Sequence, residues 1–226
     1  MDSVPLAKIV WAFPIAGALI GLASGVTYWL FYRLGFTPGL AAILMIAFQL
    51  WLTGALHEDG LADTADGFAG GYNKESRLRI MRDSSIGSFG ALALIVTMLL
   101  RIYALTLLSD PKMIFLVVIS ADSISRAMIA VGMYVLPSAR PDGLAVWAGK
   151  PALDQMSISV SLASCIILIL LKMSGVMLII AALCTCGIMC LVSRRKIGGI
   201  TGDVYGAIQQ VTETSLLIIA TLFIHV

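Results

Sequence analysis

Apolar runs long enough to cross a bilayer, roughly 17 to 25 residues each, recur at 9–32, 38–56, 88–108, 113–136, 157–173, 175–193 and 204–224. They predict seven membrane-spanning helices, the fourth and the last carrying more polar residues than the others. In three places, 57–87, 137–156 and 194–203, charged residues and glycines replace the apolar pattern. The first span carries Gly17, Gly21 and Gly25 at four-residue spacing, a small-residue stripe that lets a second helix pack closely. Just after the second span comes the run His57-Glu58-Asp59-Gly60-Leu61-Ala62-Asp63-Thr64-Ala65-Asp66-Gly67-Phe68-Ala69-Gly70-Gly71. If it is helical from Asp59, the carboxylates of Asp59, Asp63 and Asp66 recur at i, i+4 and i+7 and share one face. From Asn73 to Asp83, Leu78, Ile80 and Met81 alternate with Lys74, Arg77, Arg79 and Arg82, which fits a short interfacial helix or a solvated basic loop equally well.

Composition agrees with this pattern. Hydrophobic residues make up 59% of the chain and charged ones only 12%, about half of what a soluble domain carries, and the mean hydropathy is +0.98. The fold class is therefore an all-α, polytopic membrane helical bundle of about seven transmembrane helices plus a short interfacial helix. No repeat or low-complexity linker divides the chain, so 1–226 is read as one domain. The apolar stretch from Ile9 is too long for a signal core and lacks a small-residue cleavage site, so it reads as a retained span. In the seven-span arrangement one side holds ten Lys and Arg, among them Arg82, Arg140, Lys150 and Arg194, and the other holds three, Arg33, Lys112 and Lys172. This asymmetry predicts a cytoplasmic N-terminus and puts all three polar segments on the cytoplasmic face. The net charge of +2 gives no basis for a nucleic-acid partner. Cys165, Cys184, Cys186 and Cys190 all fall in spans. Cys186 and Cys190 share a helical face that could hold a metal but, with no histidine or carboxylate nearby, read as small buried residues, and no disulfide framework is implied.

Charges inside spans need partners, since each costs at least ~2.5 kcal/mol at a helix centre. Asp122 and Arg126, at i and i+4, are expected to pair, whereas Glu213 has no local partner and is expected to line a polar cavity. On the acidic face, two charges ~6 Å apart repel by roughly 3 kcal/mol at an effective dielectric of 20, so the cluster calls for a cation. Oxygen-only donors point to Mg²⁺ first and Mn²⁺ second. Basic residues lie nearby, and glycine-rich stretches at 83–90 and 198–202 could bring backbone N–H groups to a phosphate. Nothing suggests a Ser/His/Asp triad, a thiolate nucleophile or a zinc site. Metal-assisted phosphoryl transfer fits best.

The acidic run, followed by Ile80-Met81-Arg82-Asp83-Ser84 and Ile86-Gly87, resembles the signature of the cobalamin synthase family, the adenosylcobinamide-GDP ribazoletransferases. The resemblance extends over nearly the whole chain, through Phe13-Pro14 with Gly17 and Gly21, Arg126, Ala139-Arg140 with Gly143-Leu144, Gly198-Gly199, Thr201-Gly202-Asp203, Gly206-Ala207 and Glu213. It implies that the 5′-hydroxyl of α-ribazole attacks the β-phosphate of adenosylcobinamide-GDP, and that α-ribazole 5′-phosphate is accepted as well. GMP leaves and adenosylcobalamin, or its 5′-phosphate, forms. It also implies a bacterial inner-membrane location, the lipid bilayer as a partner, and a homo-oligomer or a complex with other enzymes of the pathway as further associations. Two departures stand out: Glu58 occupies a position usually apolar in the family, and relatives usually carry a few tens of residues before the Phe-Pro segment, with an Arg-Leu-Pro motif.

On this reading Asp59 and Asp63 are metal ligands, and Asp66 is a third ligand or the base for the attacking hydroxyl. Asp83 and Asp203 complete the acidic site, Asp83 being counted among the catalytic groups. Arg82, Arg140 and Lys150 neutralise the pyrophosphate or the departing GMP, and the resemblance adds Arg126, Gly198, Gly199, Thr201 and Gly202 to the substrate-binding set. His57 either orients a carboxylate or removes the hydroxyl proton. One rival, a CDP-alcohol phosphotransferase, requires Gly, Asp and Asp where the chain has Asn73, Arg77 and Met81. The other, an ion-coupled transporter, predicts acids spread through the membrane rather than gathered on one side.

Overall fold

The computed structural model describes residues 5–108 and 110–223. It contains helices α1 (Phe13–Arg33), α2 (Pro38–Thr53), α3 (Leu56–Gly70), α4 (Lys74–Ile80), α5 (Ser88–Leu108), α6 (Pro111–Val135), α7 (Leu144–Ala148), α8 (Leu153–Leu171), α9 (Ser174–Ile197) and α10 (Gly202–Phe223). All seven apolar runs are helical; the last residue of the final run, Ile224, lies outside the described residues. Six helices are long and apolar enough to cross a membrane singly, whereas α2 qualifies only together with α3.

The break between α2 and α3 has a local cause. Gly54 and Ala55 both adopt left-handed backbone angles, φ 64° and 53°, and the chain turns by 91°. Glycine takes this conformation freely, while Ala55 does so at a cost of order 1–2 kcal/mol. Thus the acidic run forms a helix set across the preceding one, starting at Leu56, three residues before the Asp59 from which the shared carboxylate face was counted. The basic stretch that follows is also helical over α4, started by reciprocal hydrogen bonds between Asn73 and Ser76.

α6 is the central helix, and its most extensive neighbour is α1. The glycine stripe explains the contact: a Cβ at Gly17 would overlap the Asp122 carbonyl, and one at Gly21 would lie 2.7 Å from the Ile119 Cα. α10 is also largely buried, whereas α5 turns Leu92, Ile95 and Leu99 outward. Lys196 at the end of α9 donates to the Phe68 carbonyl (3.0 Å), and Arg77 of α4 donates to the Lys196 carbonyl (2.8 Å). The segment after α6 meets the one before α10 through a single bridge between Ser138 and Ile200. The three polar segments therefore meet at one end of the bundle.

Inside the bundle the charged residues are paired. Arg101 of α5, 1% exposed, donates to Glu213 (2.6 Å) and Gln210 (3.2 Å) of α10, Gln49 of α2 (2.7 Å) and Glu58 of α3 (3.5 Å). Gln49 in turn donates to Asp122 (2.8 Å), which pairs with Arg126 at 2.5 Å as the i, i+4 spacing predicts. Glu213, expected to line a cavity, is instead the ion-pair partner of Arg101 and also accepts from Gln209 (2.6 Å). Glu58 likewise belongs to this network, accepting from Gln210 at 2.8 Å.

Candidate active site

The site forms where α3 meets the start of α10. Two glycines allow the backbones to touch: a Cβ at Gly60 would lie 2.6 Å from the Asp203 carbonyl oxygen, and one at Gly206 would lie 2.8 Å from that of His57. This contact opens Asp59 and Asp203 onto the same cavity, of about 240 Å³. His57 and Arg140 share its polar wall, and Phe13, Ile129, Met133, Leu144 and Tyr205 supply much of the rest.

Asp63 lies one turn beyond Asp59, half-buried, within electrostatic reach of Asp59, Asp203 and Asp66. The nearby countercharge is Arg140, whose Nη2 donates to Asp203 Oδ2 (3.4 Å) and to the Leu78 carbonyl (3.3 Å). Burial lowers the Arg140 pKa, and Asp203 opposes that shift. Arg140 Nε is buried with no hydrogen-bond partner. Thr201 donates to Asp203 Oδ2 (3.1 Å) and caps α10 by accepting from the Val204 N–H (3.4 Å).

The acids suit a hard cation by donor type, being carboxylate oxygens crowded around one guanidinium. They do not enclose one in this arrangement: among the described residues, no three His, Cys, Asp or Glu side chains converge closely enough to hold a metal ion.

The other sequence-derived residues are more dispersed. Asp66 is buried, and its two oxygens accept from the backbone N–H groups of Gly87 (2.7 Å) and Gly90 (2.9 Å) at the start of α5. A Cβ at either glycine would overlap that carboxylate. The anion held by this glycine-rich stretch is thus a side chain of the protein, where the sequence suggested a phosphate. Asp83 is exposed and accepts from the Ser85 N–H (2.9 Å), which holds its pKa below the ordinary carboxylate value. Arg82 pairs with Asp142 on the surface. Lys150 stacks on the Tyr134 ring, 5.1 Å from its centroid. Arg126 faces Asp122 in the buried network.

The 198–202 glycines join helices. Gly198 ends α9 at φ 75°, Gly199 lies against the Pro137 carbonyl, and Gly202 packs on Leu144 beside the cavity. Cys186 and Cys190 are free thiols. Sequence reasoning overlooked Gln49, Gln209 and Gln210, although an amide within an apolar span is itself a signal, because it must find a partner there.

A family model described as cobalamin-5-phosphate synthase matches residues 1–221. An adenosylcobinamide-GDP ribazoletransferase from Bradyrhizobium diazoefficiens is 41% identical over 219 residues, 96% of this chain and 84% of that protein. Proteins of the same name from Mesorhizobium japonicum and Azorhizobium caulinodans are 40% and 43% identical, covering 96% and 94% of this chain and 83% of each relative. No solved structure matches the chain.

Proposed function

Because the chain belongs to the cobalamin-5-phosphate synthase family, we infer that it transfers the adenosylcobinamide phosphate group of adenosylcobinamide-GDP to a ribose hydroxyl of α-ribazole or its 5′-phosphate, releasing GMP. A 5′-phosphate has no free 5′-hydroxyl, so the hydroxyl common to both acceptors is a secondary one rather than the 5′-hydroxyl. The observation that carries this reading is the glycine-mediated contact of α3 with α10, which opens Asp59 and Asp203 onto one cavity beside Arg140. Acids and a guanidinium around a shared space suit a reaction that must neutralise and orient a pyrophosphate.

By donor type Asp59, Asp63 and Asp203 are the side chains that would hold Mg²⁺ or Mn²⁺ if drawn closer together than they stand here, and such an ion would supply neutralisation of the pyrophosphate. Arg140, on the wall of the same cavity, and the nearby surface residue Arg82 bind the phosphates. His57 lines the cavity and orients the attacking hydroxyl or a neighbouring carboxylate. Asp66 acts as a positioning residue that fixes α3 against α5, and Asp83 sets the turn following Arg82. Arg126 and Lys150 brace the scaffold through Asp122 and Tyr134, while Thr201 and the glycines from 198 to 202 place Asp203. The site end faces the cytoplasm and the N-terminus lies inside; the Lys and Arg excess in the segments meeting at that end supports this orientation. The intramembrane charges pair with one another, which weighs against a transport path.

The test is release of GMP by the purified chain in nanodiscs. Release that requires adenosylcobinamide-GDP, α-ribazole and a divalent ion is the expected result. Release independent of α-ribazole, or none, would overturn the reading.

A further inference from the structure

Beside the acid-mouthed cavity lies a second one, lined by Lys74, Arg79, Arg82 and Arg140 against Glu75 and Asp142. Arg140 belongs to the walls of both. The cavities differ in character. The first is mainly apolar, with carboxylates at its polar wall, so a bare phosphate is repelled there while a flat, uncharged aromatic group is welcome. The second has four cations to two anions, and one of those cations, Arg82, is already paired with Asp142. Among the described residues Lys74 and Arg79 are in no ion pair, and Arg140 is held only by the long contact to Asp203 (3.4 Å), so these cations can meet an anion.

We propose that the two cavities divide the substrates: the apolar one takes the aromatic base of the nucleoside that supplies the hydroxyl, and the basic one takes the departing nucleoside monophosphate, held by Lys74 and Arg79. This rests on the function proposed above. The Arg140 guanidinium, spanning Asp203 on one side and the Leu78 carbonyl on the other, marks the boundary where the two halves meet. Its Nε is buried with no hydrogen-bond partner, so Asp203 and the Leu78 carbonyl leave the guanidinium incompletely satisfied. In the reaction so arranged, the hydroxyl oxygen bonds to the β-phosphorus. The bond from that phosphorus to the bridging oxygen breaks, and the electron pair leaves with the monophosphate into the basic cavity. The hydroxyl proton passes to a carboxylate on the acidic wall of the apolar cavity.

The test uses the full chain in phosphatidylcholine nanodiscs and measures GMP product inhibition together with the KM for α-ribazole. The Lys74→Ala/Arg79→Ala double variant should weaken GMP inhibition by roughly tenfold, as loss of two partly exposed charge contacts implies, and leave the α-ribazole KM nearly unchanged. Met133→Leu, which reshapes the apolar wall while conserving volume, should shift the α-ribazole KM and not the GMP constant. Normal GMP release with GMP inhibition unaffected by the double variant would overturn the division of substrates while leaving the reaction intact. Absence of GMP release from the wild type would overturn the reaction itself. Phosphatidylglycerol that displaces GMP from the wild type but not from the double variant would make a lipid headgroup the occupant of the basic cavity, also overturning the proposal.

Discussion

Two regions of this molecule use the same side chains for opposite ends. In the bundle interior, Glu58, Asp122 and Glu213 face Arg101 and Arg126 through fixed contacts, reinforced by Gln49, Gln209 and Gln210. At the end of the bundle, Asp59, Asp63 and Asp203 outnumber Arg140, the guanidinium paired with them, and that contact is long, at 3.4 Å. The first arrangement sets each charge against one of opposite sign, although Glu58 Oε2, Asp122 Oδ2 and Arg101 Nε have no hydrogen-bond partner, and so holds helices together. The second leaves negative charge to be satisfied from outside, which is what a binding and catalytic site requires. An acidic residue in a membrane protein is therefore informative about chemistry only once its partners are known.

The comparison breaks most visibly at Arg101. Arg101→Met leaves Glu213 and Glu58 buried without their cation, and should cost about 3–5 kcal/mol of stability, read as a large drop in the melting temperature of the detergent-solubilised protein. A melting point close to the wild type would remove the network from its structural role. Asp59→Asn should do the reverse. Turnover should fall by more than the ~10- to 100-fold that loss of a supporting partner of a metal ligand costs, while the melting temperature stays near that of the wild type. Loss of stability in step with activity would place Asp59 with the interior carboxylates.

Asp66 sharpens the contrast, because it sits on the acidic face yet behaves as an interior residue. Asp66→Asn removes one acceptor from the pair that holds Gly87 and Gly90, and should cost about 1.5–3 kcal/mol, the range for hydrogen bonds to a charged group. Gly90→Ala forces a methyl into the same carboxylate, and should cost about 1–3 kcal/mol. Both losses should appear in thermal unfolding, and neither variant should change the concentration of divalent ion needed for half-maximal activity.

The smallest effect concerns Asp83. Its folded pKa is depressed by the Ser85 N–H, so its stabilising contribution is complete above the ordinary carboxylate pKa of ~3.9 and vanishes as pH falls through the lower folded value. Asp83→Asn should lower the melting temperature slightly, and equally at about pH 6 and about pH 8. A difference that grows across that interval would point to another group.

Hydropathy made the spans legible, since a bilayer imposes one length on every helix that crosses it. The shared face of Asp59 and Asp63 was legible too, because helical periodicity is local. The glycine spacing at 17, 21 and 25 disclosed a close helix contact, though not that α6 was the partner. The sequence concealed whatever depended on contacts between distant segments. Glu213 has no countercharge within its own helix, where only the Gln209 amide reaches it, and its cation, Arg101, lies 112 residues away. The Gly87 and Gly90 N–H groups do bind an anion, but periodicity could not reveal that it is the Asp66 carboxylate. The right-angled turn at Gly54 and Ala55 was hidden for another reason: Ala55 holds a left-handed conformation that its residue type disfavours.

The most direct test of the division between satisfied and unsatisfied carboxylates is Mn²⁺ binding to the full chain in nanodiscs, followed by electron paramagnetic resonance in the wild type and in Asp59→Asn. The expected result is Mn²⁺ bound to the wild type and released from a variant whose melting temperature is unchanged. Equal Mn²⁺ affinity in the two proteins would contradict the account.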